Sequence, residues 1–433
     1  MKLLTSSNRV HNISLVMNIF GRLRETIHFR CRWRLVLAVA TTAFISSPDS
    51  ITCVSSLSAN PSSSSSSSSI DGSSIMPMPR PPLQSSSYPL YSTILKHRSI
   101  SSSPSSGAIP LAGVHDALSA KIFAHHGAPA IFLSGFGVSA SLLAIPDAGM
   151  TNLVEMEMMT RHVYSAVRGG ASSSPPPPLI VDGDTGYGGA PNMLRTISTL
   201  SRAGAAAISI EDQMFPKKCT IAAGSKIQIV PREEAVERVR GAIGARDLHY
   251  QQQQEQQVGI DECSGKGTWI VARTDCRMAY GFNEVIERCL RFEELGAEVI
   301  YAENLQSVEE YQKLRDRLDS RTVTMIAQVQ ESLNNDDDDG RNVETKKKPL
   351  LTLQEIAELG YDLALFGVTP LQCVVGSLDA TAKQFLGISR DDNDTTAATG
   401  IVTEPISMAT FSDVKRVVGF DELGRFESDF PCA

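Results

Sequence analysis

Two stretches of the chain place acids where an apolar run stops. Leu179, Ile180 and Val181 give way to Asp182, Gly183 and Asp184, and Ala207 to Ile210 give way to Glu211 and Asp212. Short continuous apolar runs read as strands buried on both faces. Carboxylates at their carboxyl ends therefore point into the mouth of an α/β sheet or barrel, where such folds carry out chemistry. Carboxylates brought together at low dielectric repel one another. A hard cation with oxygen ligands and retained waters relieves that repulsion, and Mg²⁺ has the matching preferences, so a magnesium site is inferred. Any one of these acids has an alternative role as the cap of the helix that follows its strand. Asp182, Asp184 and Glu211 together favour the metal reading.

The elements that must position these acids repeat along the chain. Four segments, HHGAPAIFLSG, RAGAAAISIED, ELGAEVIYAEN and ELGYDLALFG, run from a helix-like end through Gly directly into an apolar run. Gly just past a helix takes the left-handed cap cheaply, and the chain can then enter a buried strand. Eight strands are expected: Ala108 to Val114, Ala130 to Leu133, Leu179 to Asp182, Ala206 to Ile210, Trp269 to Arg273, Glu298 to Ala302, Val323 to Ala327 and Asp362 to Phe366. Amphipathic segments such as PREEAVERVRGAIGAR, NEVIERCLRFEELG and SVEEYQKLRDRL lie between them. The pattern predicts an α/β fold, a (β/α)8 TIM-type barrel over residues 107–390, with a last helix from Leu371 to Leu386. Its strand ends would deliver Ser134, Gly135, Asp182, Asp184, Glu211, Asp212, Arg273, Glu303 and Gln328 to one mouth. Two low-complexity stretches, near 251–267 and 334–348, read as solvated loop insertions, the first at the stability face and the second near the mouth.

Residues 1–106 have a different character. From Met1 to Ser47 the chain carries Lys2, Arg9, Arg22, Arg24, Arg30, Arg32 and Arg34 against the single acid Glu25, followed by the apolar run LVLAVATTAFI. That run is too short to span a bilayer, and its basic flank fits a cleaved targeting leader for a mitochondrion or plastid, with secretory entry as the alternative. Eight serines from Ser62 to Ser69, then PMPRPPLQSSS, read as a disordered linker that contributes nothing to a core. Residues 391–433 read as a C-terminal tail. The eight cysteines show no CxxC spacing and read as reduced thiols. A net charge of −8 without a sustained basic patch argues against nucleic acid and is compatible with a small anionic substrate held through a metal. No membrane association is expected of the mature chain.

The ordered motifs GVHDALSAK, FLSGFGVSASLL, IPDAGMTNLVEM, LIVDGDTGYGG, IEDQMFPKKC and IVARTDCR resemble the isocitrate lyase and phosphoenolpyruvate mutase superfamily over residues 107–387. Within it the chain looks most like the group of methylisocitrate lyases, oxaloacetate hydrolases, petal death proteins and carboxyvinyl-carboxyphosphonate phosphorylmutases. The resemblance implies that Asp182 touches Mg²⁺ directly, with Mn²⁺ as a possible substitute, and that Asp184, Glu211 and Asp147 act through bound water. It assigns Ser134 and Gly135 to the substrate carboxylate, Arg273 to substrate oxygens, and Glu303 and Gln328 to the inner shell of the substrate site. Cys219 matches a cysteine on a mobile gating loop that exchanges a proton with the enolate carbon, and Lys217 and Lys218 beside it would favour thiolate.

The loop departs from the lyase pattern, because Cys219 is followed by Thr220 and Ile221 where those enzymes continue with Gly-His. Gln328 stands where the family commonly has Asn, and Phe132 where many members have Tyr. The leading expectation is a Mg²⁺-dependent lyase that cleaves a carbon-carbon bond of a small 2-hydroxy or 2-oxo dicarboxylate. A phosphonate-forming or phosphonate-cleaving mutase or hydrolase is the alternative, and a relic with an impaired gate is a third reading. The resemblance also implies a homotetramer with the eighth helix exchanged between subunits, which the apolar Leu371, Val374, Val375 and Leu378 could support.

Overall fold

The computed structural model describes residues 89–100, 107–168, 175–220, 227–256, 267–329, 350–386 and 409–430. The targeting leader, the serine run, the insertion at 334–348 and the first part of the C-terminal tail lie outside these residues.

Eight parallel strands close into a barrel in sequence order, each hydrogen-bonded to the next and the last to the first. They are β1 (Ile109–Val114), β2 (Ala130–Leu133), β3 (Leu179–Asp182), β4 (Ala207–Ile210), β5 (Trp269–Thr274), β6 (Val299–Ala302), β7 (Val323–Ala327) and β8 (Leu363–Phe366). The predicted strands are all present, with ends displaced by at most one residue. The outer ring contains α2 (Ala117–His125), α3 (Gly135–Leu143), α4 (Leu153–Arg168), α5 (Ala190–Ala203), α6 (Arg232–Gln256), α7 (Phe282–Glu294), α8 (Val308–Arg317), α9 (Leu353–Glu358) and α10 (Thr369–Phe385). Preceding the barrel is α1 (Pro89–Ile100), and following it are α11 (Phe411–Val418) and α12 (Phe420–Asp429).

The Gly-to-strand junctions form as their sequence predicts. Gly127, Gly204, Gly296 and Gly360 all have positive φ. At Gly204 a Cβ would meet the Tyr164 ring within 2.3 Å, so both backbone and space demand glycine there.

Side-chain alternation carries the barrel interior up to the site. Ile180, Ala207, Val271, Val299, Tyr301, Met325 and Leu365 pack together inside the barrel. Two residues beyond these positions along their strands come Asp182 on β3, Arg273 on β5 and Glu303 after β6, on the same inward face. Outward neighbours such as Val181, Ile208 and Ile270 pack against the helices instead.

Three sequence expectations require correction. Residues 89–100, assigned to the linker, form α1, and Leu90 and Ile94 are buried among the interior side chains of the barrel. Burying each such side chain stabilises by about 1.5–3 kcal/mol. Arg98 fixes the helix by a two-point contact with Asp362, Nε to Oδ1 at 2.7 Å and Nη2 to Oδ2 at 2.9 Å. The short apolar pattern of α1 is easily masked by its serine-rich flank, because it gains its stability from the barrel rather than from its own propensity. Second, residues 251–256 extend α6 rather than forming a loop, and only 257–266 of that insertion lie outside the described residues. Gln and Glu are good helix formers, so a helix can run on through them. Third, the tail contains α11 and α12, the first opened by a capping box between Thr410 and Asp413. No helix among the described residues is long and apolar enough to cross a membrane.

Candidate active site

At the carboxyl ends of the strands lies a cavity of about 70 Å³. Ser134, Asp147, Asp182, Glu211, Lys218, Cys219, Arg273, Glu303 and Gln328 all line it. Gly135 and Asp184 stand directly behind Asp182. The Gly135 amide donates to Asp182 Oδ2 at 3.3 Å and the Asp184 amide to Oδ1 at 3.2 Å. A Cβ on Gly135 would come within 2.9 Å of that Oδ2, so the close approach needs glycine.

The acids predicted from sequence do converge, and a cation of the chain sits among them. Lys217 is buried, with Nζ 2.9 Å from Asp147 Oδ1 and in an ion pair with Asp184. Burial alone would lower its pKa, but Asp184, Asp182, Glu211 and Asp147 outweigh that and hold it well above the usual lysine value. Asp184 is raised to about 6 by burial, with Lys217 pulling it down and Asp182 and Asp147 pushing it up. Burial likewise raises Glu211 well above the carboxylate range, against the opposing charge of Arg273. One ammonium thus serves several carboxylates, and the cluster keeps an excess of negative charge.

This arrangement fits a hydrated cation. Both Glu211 oxygens are buried and accept no hydrogen bond. Among the described residues no three His, Cys, Asp or Glu side chains converge closely enough to hold an ion directly. Mg²⁺ suits an all-oxygen donor set such as this group of carboxylates, since it keeps several waters and takes one or two carboxylates. Asp147, Asp182 and Glu211 line the cavity and Asp184 stands beside Asp182, so these four are the residues that could hold a cation or its waters.

Arg273 is aimed by its neighbours. Nε donates to Asp275 Oδ1 at 2.7 Å and Nη2 to Oδ2 at 3.0 Å, while Nη1 lies 3.5 Å from Glu211 Oε2. Its guanidinium carbon stands 5.4 Å from the Tyr301 ring centre. Burial works against the charge, but Asp275, Glu211 and Glu303 keep the pKa well above normal. A planar fork fixed in this way is suited to a carboxylate. Across the cavity Ser134 caps α3, its Oγ accepting from Gly137 N at 3.2 Å, which leaves its hydroxyl hydrogen to donate. Glu303 accepts from the Tyr301 hydroxyl and, at 3.5 Å, from Thr220 Oγ1.

Three residues differ from the roles read in the sequence. Gln328 lines the cavity, but its amide is engaged with the backbone of Leu351, donating from Nε2 at 2.7 Å and accepting at Oε1 at 2.6 Å. It ties together the two ends of the 330–349 segment rather than presenting its amide to a substrate. Asp212 is turned to Thr274 and Arg288, with Oδ2 at 2.5 and 3.0 Å, and acts as scaffold. Of the two lysines before Cys219, the buried one among the acids is Lys217, whereas Lys218 is exposed at the rim.

Sequence reading missed Lys217 as a partner of the acids, and missed Asp275 and Gln213 altogether. Asp275 follows Arg273 by two residues, a spacing at which a carboxylate can turn back on the guanidinium. Gln213 lies next to Asp212 in the motif already singled out, but an uncharged amide gives no signal of its own.

Residues 104–386 match the family model described as phosphoenolpyruvate phosphomutase. The chain belongs to that family. It is 29% identical over 318 residues to 2,3-dimethylmalate lyase of Eubacterium barkeri, a match covering 73% of this chain and 92% of that one. It is 30% identical over 329 residues to the petal death protein of Dianthus caryophyllus, covering 75% and 86%. The crystal structure of 2,3-dimethylmalate lyase, a member of the phosphoenolpyruvate mutase and isocitrate lyase superfamily, superposes with a TM-score of 0.59 at 25% identity, covering 78% of this chain and 94% of that one. This family member is therefore an enzyme of a superfamily of lyases and mutases, and its barrel is the superfamily's barrel.

Proposed function

We propose that the enzyme is a Mg²⁺-dependent lyase that cleaves a carbon-carbon bond in a small 2-hydroxy or 2-oxo dicarboxylate. The observation that carries this reading is the seating of Cys219 on the same small cavity as Arg273 and the acid cluster. Proton transfer, carboxylate recognition and charge stabilisation then meet at one place. Relatives named for cleaving dimethylmalate and methylisocitrate support the substrate class.

The metal, when bound, supplies positive charge to substrate oxygens that gain negative charge as the bond breaks. Arg273, held by Asp275, orients one carboxylate, and the Ser134 hydroxyl together with the first turn of α3 receives the other. A carboxylate of the acid cluster takes the hydroxyl proton of a 2-hydroxy acid, whose carbon becomes a carbonyl as the carbon-carbon bond breaks and leaves its bonding pair on the fragment that becomes an enolate. In a 2-oxo acid, addition of water to the carbonyl precedes the same cleavage. Cys219 delivers a proton to the enolate carbon, or removes one in the reverse direction. Its segment forms part of the cavity wall, with the Cys219 amide donating to Asp147 O at 3.1 Å.

Purified enzyme with Mg²⁺ should cleave at least one member of a panel of four- to seven-carbon hydroxy- and oxo-dicarboxylates and leave phosphonopyruvate intact. Turnover of phosphonopyruvate alone would reverse the assignment toward phosphorus-carbon chemistry.

We further propose that the enzyme is a homo-oligomer in which α10 packs on a second copy. Leu371 is the helix's one buried residue, whereas Val375, Leu378 and Phe385 are 57%, 62% and 69% exposed. Light scattering should give a mass of several chains, and a monomer at micromolar concentration would refute the proposal.

A further inference from the structure

Gln213 has no role in the chemistry above, yet its side chain is buried at the junction of two parts of the site. Nε2 donates to Lys218 O at 3.0 Å and to Asp275 Oδ2 at 2.6 Å, and Oε1 accepts from Lys218 N at 2.9 Å. Both amide hydrogens and the oxygen are used. Turning the amide over would set Oε1 against the Asp275 carboxylate and Nε2 against the Lys218 N–H, so a single orientation is allowed. The backbone beneath is anchored as well: Gln213 pairs with Ile229 in an antiparallel bridge, and its carbonyl accepts from Arg238 Nη1 at 2.7 Å.

On one side of this post is the segment that bears Cys219. Met214, Phe215 and Pro216 are exposed, so the segment crosses the surface and is held from below at Lys217, Lys218 and Cys219. On the other side is Asp275, completely buried, whose two oxygens take the Arg273 fork and whose amide donates to Asp212 Oδ1 at 2.9 Å. The Lys218 peptide, the Gln213 amide, Asp275 and Arg273 therefore form one continuous hydrogen-bonded chain.

We propose that Gln213 is a positioning residue that couples closure of the Cys219 segment to the orientation of Arg273. With the segment closed, Gln213 is held against Asp275 and Arg273 is aimed at the cavity. With the segment open, Gln213 loses both bonds to Lys218, Asp275 loses a fixed donor, and the guanidinium is less well placed. Because coupling is reciprocal, an anion bound on Arg273 favours the closed segment. The proposal rests on the reading of Arg273 as a carboxylate ligand and of Cys219 as the proton carrier.

The test uses Gln213→Met, which keeps the shape and removes the hydrogen bonds, in the full chain, with thermal unfolding as the check on folding. Alkylation of Cys219 by iodoacetamide, followed on its own peptide by mass spectrometry, should accelerate about 10-fold without any ligand, as expected from losing two hydrogen bonds. Oxalate affinity by calorimetry should fall about 10-fold, while Mn²⁺ affinity stays within about 2-fold, because Gln213 touches none of the acids placed around the metal. Asp275→Asn should also accelerate the alkylation, and the double variant should show less than the product of the single effects. Unchanged alkylation in Gln213→Met overturns the proposal. So does faster alkylation with unchanged oxalate affinity, which would make Gln213 a clamp on the segment alone. If the unaltered enzyme does not bind oxalate, the dicarboxylate reading falls. Alkylation in Asp275→Asn then decides the coupling, faster sustaining it and unchanged refuting it.

Discussion

Cys219→Ser is expected to fold normally and to lose carbon-carbon cleavage by about 10²–10⁴-fold, the usual contribution of a positioned proton donor. Serine occupies nearly the same space, and the backbone amide bond from this residue to Asp147 O is unaffected by the substitution, so the segment should stay in place. A hydroxyl holds its proton far more tightly than a thiol and cannot deliver it to carbon at a useful rate. KM should change little, since Arg273 and Ser134 are untouched. Steady-state kinetics will measure this, and a kcat within a few-fold of the unaltered enzyme would move the proton role to another group.

The second large effect is expected at Asp182. Asp182→Asn should weaken Mg²⁺ binding by about 100-fold or more, because loss of a direct ligand should exceed the 10–100-fold typical of losing an outer-shell partner. Turnover at physiological metal should fall with it. The apo fold should be retained, with a melting temperature within a few degrees of the unaltered enzyme, because relief of repulsion among carboxylates that share the Lys217 ammonium opposes the loss of one of the two backbone N–H bonds that Asp182 accepts from Gly135 and Asp184. Titration calorimetry and thermal unfolding separate the two quantities. Unchanged metal affinity would show that the cation is held elsewhere.

The barrel was readable in the sequence because in four of its eight units two local signals agree, a glycine that stops the helix and an apolar run that cannot remain exposed, and the other four strands keep the apolar run. Asp182, Glu211, Arg273 and Glu303 were readable for the same reason, since strand alternation fixes which side of the barrel their side chains face. Legibility failed where a side chain acts through a partner distant in the chain. Lys217 finds Asp147 and Asp184 across 70 and 33 positions of sequence. Gln328 looks like a substrate ligand until the backbone of Leu351 is found bound to its amide. Residues 89–100 look like part of a polar linker because Leu90 and Ile94 have meaning only once the barrel interior exists to receive them. These are long-range choices, made by packing and hydrogen-bond satisfaction rather than by local propensity.

We propose that this cavity generates an enolate and that Cys219 carries its proton. The most direct measurement is proton NMR of the dicarboxylate panel in D₂O with Mg²⁺. For the substrate that is cleaved, the released fragment should carry one deuterium at the carbon where the bond broke. Both cleavage and labelling should disappear together in Cys219→Ser and on removal of the metal. Cleavage that continues in Cys219→Ser with full deuterium incorporation at that carbon would contradict the account, because the proton would then come from solvent or from another residue.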